Sequence, residues 1–114
     1  LGDVYKRQAK MASGPWNVNG QVGLVVGATQ PAEIARVREL APETPLLVPG
    51  IGAQGGDVNA AVAAGLDAHG RGMIINSSRA VIFAGNGKDF AQAAAKAAEA
   101  TMIAIREAKK KALS

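Results

Sequence analysis

Cysteine is missing from this 114-residue chain, and histidine, tryptophan and tyrosine occur once each. Without thiols there is no disulfide framework, and a reducing, cytoplasmic setting is the reading that follows. The lone histidine, His69, stands in a polar connection and reads as a solvated loop position rather than a catalytic base. No apolar run is long enough for a membrane span, and the N-terminus lacks the charged, apolar and small-residue succession of a secretory signal, so no membrane partner is expected. Aromatic residues make up only 4%, leaving little to stack on bases. The formal charge of +4 and the pI near 9.8 could point to nucleic acid, but Lys109, Lys110 and Lys111 supply three of the thirteen positive charges. They end a helical pattern, where cations suit the helix dipole and water solvates them, so no nucleic-acid partner is expected either. What is present is 48% apolar residues, enough for one small domain.

The first eight residues, LGDVYKRQ, match nothing in the pattern that follows. Residues 3–8 are the translation of a transposase end sequence used in preparing sequencing libraries, so residues 1–8 read as an adaptor scar to be left out of fold reasoning. A coding sequence that begins at an adaptor implies a natural protein extending upstream, with residues 9–114 as its remaining part. Residues 9–20 look like a frayed helix end and a loop broken by Gly14, Pro15 and Gly20, with Trp16 packed beneath it. Residues 22–26, VGLVV, form a continuous apolar run, as in a strand buried on both faces of a parallel sheet. Pro31 opens a helix in which Ile34, Val37 and Leu40 share one side. Residues 46–48 are a second strand, residues 58–64 a short helix that Gly65 can terminate, and residues 73–75 a third strand. Residues 80–84 make an apolar turn or helix. Residues 88–113 form a long helix with Phe90, Ala94, Ala97, Met102 and Ile105 on its apolar side.

Regular alternation of strand and helix implies an α/β protein with a parallel sheet. Two architectures are compatible: an open doubly wound sheet, or part of a (β/α)8 TIM barrel. Both place ligands past the C-terminal ends of strands, and all three polar clusters lie there: GATQ at residues 27–30, the glycine loop at residues 49–57, and NSSR at residues 76–79. The loop reads PGIGAQGGD, with four glycines beside Gln54 and Asp57. Glycine lets peptide N–H groups close around an anion. Ser78 and Arg79 add a hydroxyl and a planar guanidinium able to bind two phosphate oxygens, with Arg79 opening a helix. Asp57 is better read as a helix cap than as a ligand contact. Thr29 can either cap the helix begun by Pro31 or face the mouth of the site.

VVGATQP, LLVPGIGAQGGD and INSSRAVIFA, in this order and spacing, resemble the C-terminal part of the orotidine 5′-phosphate decarboxylase family, in its longer bacterial branch. The glycine loop with its Gln is the specific element. The resemblance implies about three of the eight strand–helix units of a homodimeric TIM barrel that converts orotidine 5′-monophosphate (OMP) to UMP and carbon dioxide with no metal or organic cofactor. Matched motif by motif, it implies that Gln54, Gly55, Ser78 and Arg79 hold the substrate phosphate, and that Pro49 and Ile51 line the pyrimidine pocket. Ser78 stands where shorter members tend to have glycine. The family's Asp-x-Lys-x-x-Asp motif does not occur in this chain, so no residue is assigned a catalytic role. The rival readings are a non-catalytic phosphate-binding α/β module and another sugar-phosphate barrel enzyme.

Overall fold

The computed structural model describes residues 2–52 and 56–114. Its elements are α1 (Gly2–Ser13), β1 (Leu24–Val25), α2 (Pro31–Leu40), β2 (Leu46–Val48), α3 (Val58–Gly65), β3 (Met73–Ile75), α4 (Arg79–Ile82) and α5 (Phe90–Leu113). The strands form one parallel sheet in the order β1-β2-β3. Parallel neighbours need a crossover of a dozen or more residues, and α2 and α3 supply the two crossovers.

Helices cover one face of this sheet. Leu46 and Val48 are fully buried against Ile34, Val37 and Ala61, and Leu24, Met73 and Ile75 pack on the same cluster. The intervening strand residues point the other way: Val25 is 69% exposed, Ile74 62% and Leu47 38%. Val25 pairs with Leu47 and Leu47 with Ile74, so the three make one apolar row across a face that no described element covers. The reading of residues 22–26 as a strand buried on both faces is therefore corrected. The apolar run is real, but the layer that would bury its second side is not among the described residues.

The N-terminal residues also depart from expectation. Residues 2–8 are not separate from the fold: they form the first part of α1, in which Ala9 and Ala12 are buried and Tyr5 packs against the core. Whatever the origin of the codons, Tyr5, Ala9 and Ala12 recur at helical spacing and bury one side. Trp16 is 58% exposed rather than packed under the loop. Gly65 is the last residue of α3 but has no positive φ. It is small for another reason: a Cβ there would stand 2.5 Å from Met73 Cε and 3.1 Å from Ile34 Cγ2. On α5, Ala94, Ala97 and Ile105 lie on the covered side with Ala93, Thr101, Ala104 and the buried Ala108, while Phe90 and Met102 face out. Two of the five residues expected on the apolar side are thus corrected, because the spacing of the small alanines, not the large side chains, marks the packed stripe.

The side of the sheet away from the polar clusters is braced by Arg38, which is only 8% exposed. Its Nε donates to Gly65 O at 2.8 Å, Nη1 to Thr44 O at 2.8 Å and to Ala41 O at 3.2 Å, and Nη2 to Gly72 O at 2.9 Å. Burial lowers the guanidinium pKa, an effect that the charge of Asp67 opposes. A cation in this position is tolerated because carbonyl oxygens from several segments replace its water. Gly72, at φ 90°, makes room for it: a Cβ would stand 2.9 Å from Arg38 Nη2 and 2.9 Å from Asp67 Oδ2.

Candidate phosphate site at the strand ends

Because the sheet is parallel and in register, the segments that follow β1, β2 and β3 leave it on one side. They are tied together beyond the strands themselves. Ala28 N–H donates to Pro49 O at 2.8 Å, continuing the β1–β2 ladder into the first polar cluster. Ala28 is fully buried there, while Thr29 is exposed. The N-terminus of α2 carries no side-chain cap, so Thr29 does not act as one.

The glycine loop is pinched at its neck. Gly50 and Gly52 have φ of 96° and 79°, conformations that side chains rarely adopt. The chain then folds back, with Gly56 N–H donating to Gly50 O at 2.9 Å and Ile51 bridging Gly56. Gly56 admits no side chain: a Cβ would lie 2.5 Å from Gly50 O and 2.8 Å from Ala28 Cβ. Gln54 and Gly55, two of the four residues assigned to the phosphate, lie outside the described residues. Asp57 is the N-cap of α3, its Oδ1 accepting from Asn59 N–H at 2.8 Å and Ala60 N–H at 3.2 Å, which fits the capping reading. The cap fixes where the loop ends and α3 begins.

Pro49, Ile51, Ser78 and Arg79 are brought together. Residues 49–51 and residues 76–80 line a single cavity of about 60 Å³ between the ends of β2 and β3. That is well below the roughly 300 Å³ at which drug-sized pockets begin, so it suits one small group rather than a whole nucleotide. Ser78 is the N-cap of α4 without a side-chain capping bond. As the first two residues of α4, Arg79 and Ala80 have N–H groups without an intrahelical acceptor. Arg79 is exposed, and its guanidinium takes part in neither of the ion pairs found among the described residues. Chemically, the cavity offers hydroxyl and N–H donors and one uncommitted cation, a donor set for an oxyanion. Asn76 and Ser77, part of the NSSR cluster but assigned no role from the sequence, also line it. Their place directly after β3 was the available signal.

A larger cavity, about 420 Å³, lies between α3, α5 and the segment leading into β3. Its lining is mainly apolar, including Val62, Leu66 and Ile105, and includes none of the three polar clusters. His69, expected in a solvated loop, is exposed, and its backbone N–H donates to Asp67 Oδ1 at 2.9 Å. No group of acidic or histidine side chains able to hold a metal occurs among the described residues, and none of their helices is long and apolar enough to cross a membrane.

Strand–helix units with their polar clusters gathered at the C-terminal strand ends define a class, the α/β proteins built on parallel strands. Comparison with known proteins narrows it. No protein-family model matches the chain. The orotidine 5′-phosphate decarboxylase of Variovorax paradoxus is 60% identical over 106 residues, which are 93% of this chain and 38% of that protein. The structure of Leishmania donovani UMP synthase superposes with a TM-score of 0.75 at 52% identity, over 90% of this chain and 22% of that one. The structure of the Leishmania donovani OMP decarboxylase gives a TM-score of 0.74 at 46% identity, over 93% of this chain and 38% of that one. In sequence and fold the chain is thus similar to a part of orotidine 5′-phosphate decarboxylase, and it spans less than two-fifths of the length of these decarboxylase relatives. Of the two architectures left open by the sequence, these likenesses select strand–helix units of a (β/α)8 barrel.

Proposed function

We propose that residues 9–114 are the C-terminal, phosphate-holding part of an orotidine 5′-phosphate decarboxylase, preceded by an adaptor scar at residues 1–8. The full-length parent converts OMP to UMP and carbon dioxide, as a cytoplasmic homodimer and without a metal or organic cofactor. The observation that carries this reading is the small cavity between the β2 and β3 ends, with Arg79 on one wall and the neck of the glycine loop on the other. The role assigned to Gln54 and Gly55 is to bind the phosphate, which Ser78 and Arg79 hold from the end of β3. Pro49 and Ile51 present the apolar side toward the pyrimidine.

In this reading the chain contributes binding energy rather than chemistry. Grip on the phosphodianion is remote from the carboxylate that leaves, and such energy can order the reacting end of a substrate. The Lys and Asp network that stabilises the developing carbanion lies in the part of the parent that this chain does not contain. An Asp-x-Lys-x-x-Asp strand in the sequence upstream of residue 9 supports the reading, and a complete short gene supports the non-catalytic module instead.

The test is steady-state kinetics on the full-length parent. Arg79→Ala lowers kcat/KM for OMP by about 30- to 150-fold, the equivalent of about 2 to 3 kcal/mol for a lost charge-assisted contact. An unchanged kcat/KM removes Arg79 from the site.

A further inference from the structure

Two Asn-Gly pairs occur in the chain, Asn19-Gly20 and Asn86-Gly87, and neither has a part in the phosphate reading. Such a pair is reactive because the backbone nitrogen that follows an asparagine can attack that asparagine's own side-chain carbonyl. Glycine in the second place removes the Cβ that obstructs the attack and widens the backbone angles available to it. Whether a fold permits the reaction depends on what holds the side-chain amide and the following N–H.

The two pairs differ in that respect. Asn19 Nδ2 donates to Gln21 Oε1 at 3.1 Å, inside a loop that Val22 N–H closes on Asn17 Oδ1 at 3.1 Å, and Gly20 is turned to φ 73°. Asn86 lies in the connection between α4 and α5, and both it and Gly87 are exposed. That connection is fastened on either side of the reacting atoms. Gly85 lies so close to α5 that a Cβ would stand 2.7 Å from Ala93 Cβ, and Gly87 O accepts Phe90 N–H at 3.2 Å. Among the described residues, neither the Asn86 side chain nor the Gly87 N–H has a hydrogen-bond partner, so no bond must open before they react.

We propose that Asn86 is a site of self-modification. The Gly87 nitrogen attacks Asn86 Cγ, the Cγ–Nδ2 bond breaks, and Nδ2 leaves as ammonia with the proton that Gly87 gives up, closing a five-membered succinimide. Water then opens the ring at one carbonyl to give aspartate, or at the other to give isoaspartate, in which the backbone runs through the former side chain. No oxidant, reductant or enzyme is required. Either product puts a new carboxylate into the connection that joins α4, with Arg79 at its head, to α5. The proposal does not depend on the decarboxylase reading.

The test is incubation of the full-length parent at mildly alkaline pH, followed by peptide mapping with mass spectrometry and labelling of isoaspartate by a protein-isoaspartate methyltransferase. The expected result is that the peptide holding residue 86 gains one dalton and splits into aspartate and isoaspartate forms. Its rate should lie within about threefold of that of a free peptide of residues 82–90, whereas residue 19 should react about tenfold more slowly than its own free peptide, because its bonds must open first. Gly87 needs no positive φ, and an added Cβ would meet only Asp89 Oδ1, at 3.2 Å, so Gly87→Ala is compatible with the fold. That variant, checked for unchanged circular dichroism, should slow conversion at residue 86 about tenfold and leave residue 19 as it was. Residue 86 staying intact while its free peptide converts, or residue 19 being the faster of the two in the folded protein, overturns the proposal.

Discussion

Gly56 and Arg38 show how differently two residues of one fold can be read in advance. Gly56 belongs to a run of glycines whose purpose is visible in composition alone, and the structure supplies the reason for this one: no Cβ fits between Gly50 O and Ala28 Cβ. Both obstacles are small and fixed, one of them backbone, so the neck must open to admit an alanine. Gly56→Ala in the full-length parent is expected to destabilise it by about 1 to 3 kcal/mol, the usual range for overpacking, and to raise KM for OMP. Urea denaturation and initial rates check the two effects. Arg38 carried no such signal, because its role depends on carbonyls from α3 and two connections that only the folded chain assembles. Among its acceptors, Gly72 O also receives Leu46 N–H and Ala41 O receives Thr44 N–H, whereas Gly65 O and Thr44 O gain no second donor among the described residues. Arg38→Met should therefore cost about 2 to 6 kcal/mol, from two buried carbonyls at about 1 to 3 kcal/mol each. A urea midpoint within error of the unsubstituted protein would refute this account.

Among the elements, the connection from α3 to β3 has a built-in acid sensitivity. Asp67 Oδ1 accepts the backbone N–H groups of Arg71 and His69, each at 2.9 Å. The Arg71 bond is the main cause of its lowered pKa; burial opposes it, and the His69 bond and the charges of Arg38 and His69 assist it. A carboxylate held below its unfolded value stabilises the fold above that value, and the contribution is lost as pH falls through the lowered one. Exchange of the Arg71 amide is expected to accelerate across that acidic window, beyond its intrinsic pH dependence, and Asp67→Asn should abolish the extra acceleration. The long helix and the strands were legible to different degrees. Alternation of strand and helix could be read directly from Val22 to Ile105, because glycine, proline and apolar runs mark it locally. The face that α5 buries could not be read from its largest residues, since most residues on its covered side are alanines. Nor could the exposure of Val25 be read from its neighbours, since that depends on whether a second layer is present.

For the molecule as a whole, a three-stranded sheet whose second face and outer edges have no cover among the described residues is a poor solution to burying apolar surface. The 114-residue chain alone is expected to be marginally folded or aggregation-prone, and inactive toward OMP. Size-exclusion chromatography, dye binding to exposed apolar surface and a decarboxylation assay would establish this. A monodisperse monomer with a sharp unfolding transition and measurable turnover would contradict it. The site was legible to the extent that its ingredients are consecutive in sequence. PGIGAQGGD and NSSR could be assigned to strand ends without coordinates, whereas their meeting in one cavity is a consequence of parallel pairing between β2 and β3.

Arg38 has a consequence for how the molecule comes apart. Its Nη2 reaches Gly72, 34 residues along the chain, while its Nη1 holds the connection that leads into β2. Neither the lead-in to β3 nor the end of α3 can drift away without stranding a buried guanidinium, so the clamp opposes piecemeal fraying. Whatever stability the chain possesses is pooled: the segments that Arg38 joins are lost together, and a protease should find few partly opened forms between the folded chain and the unfolded one.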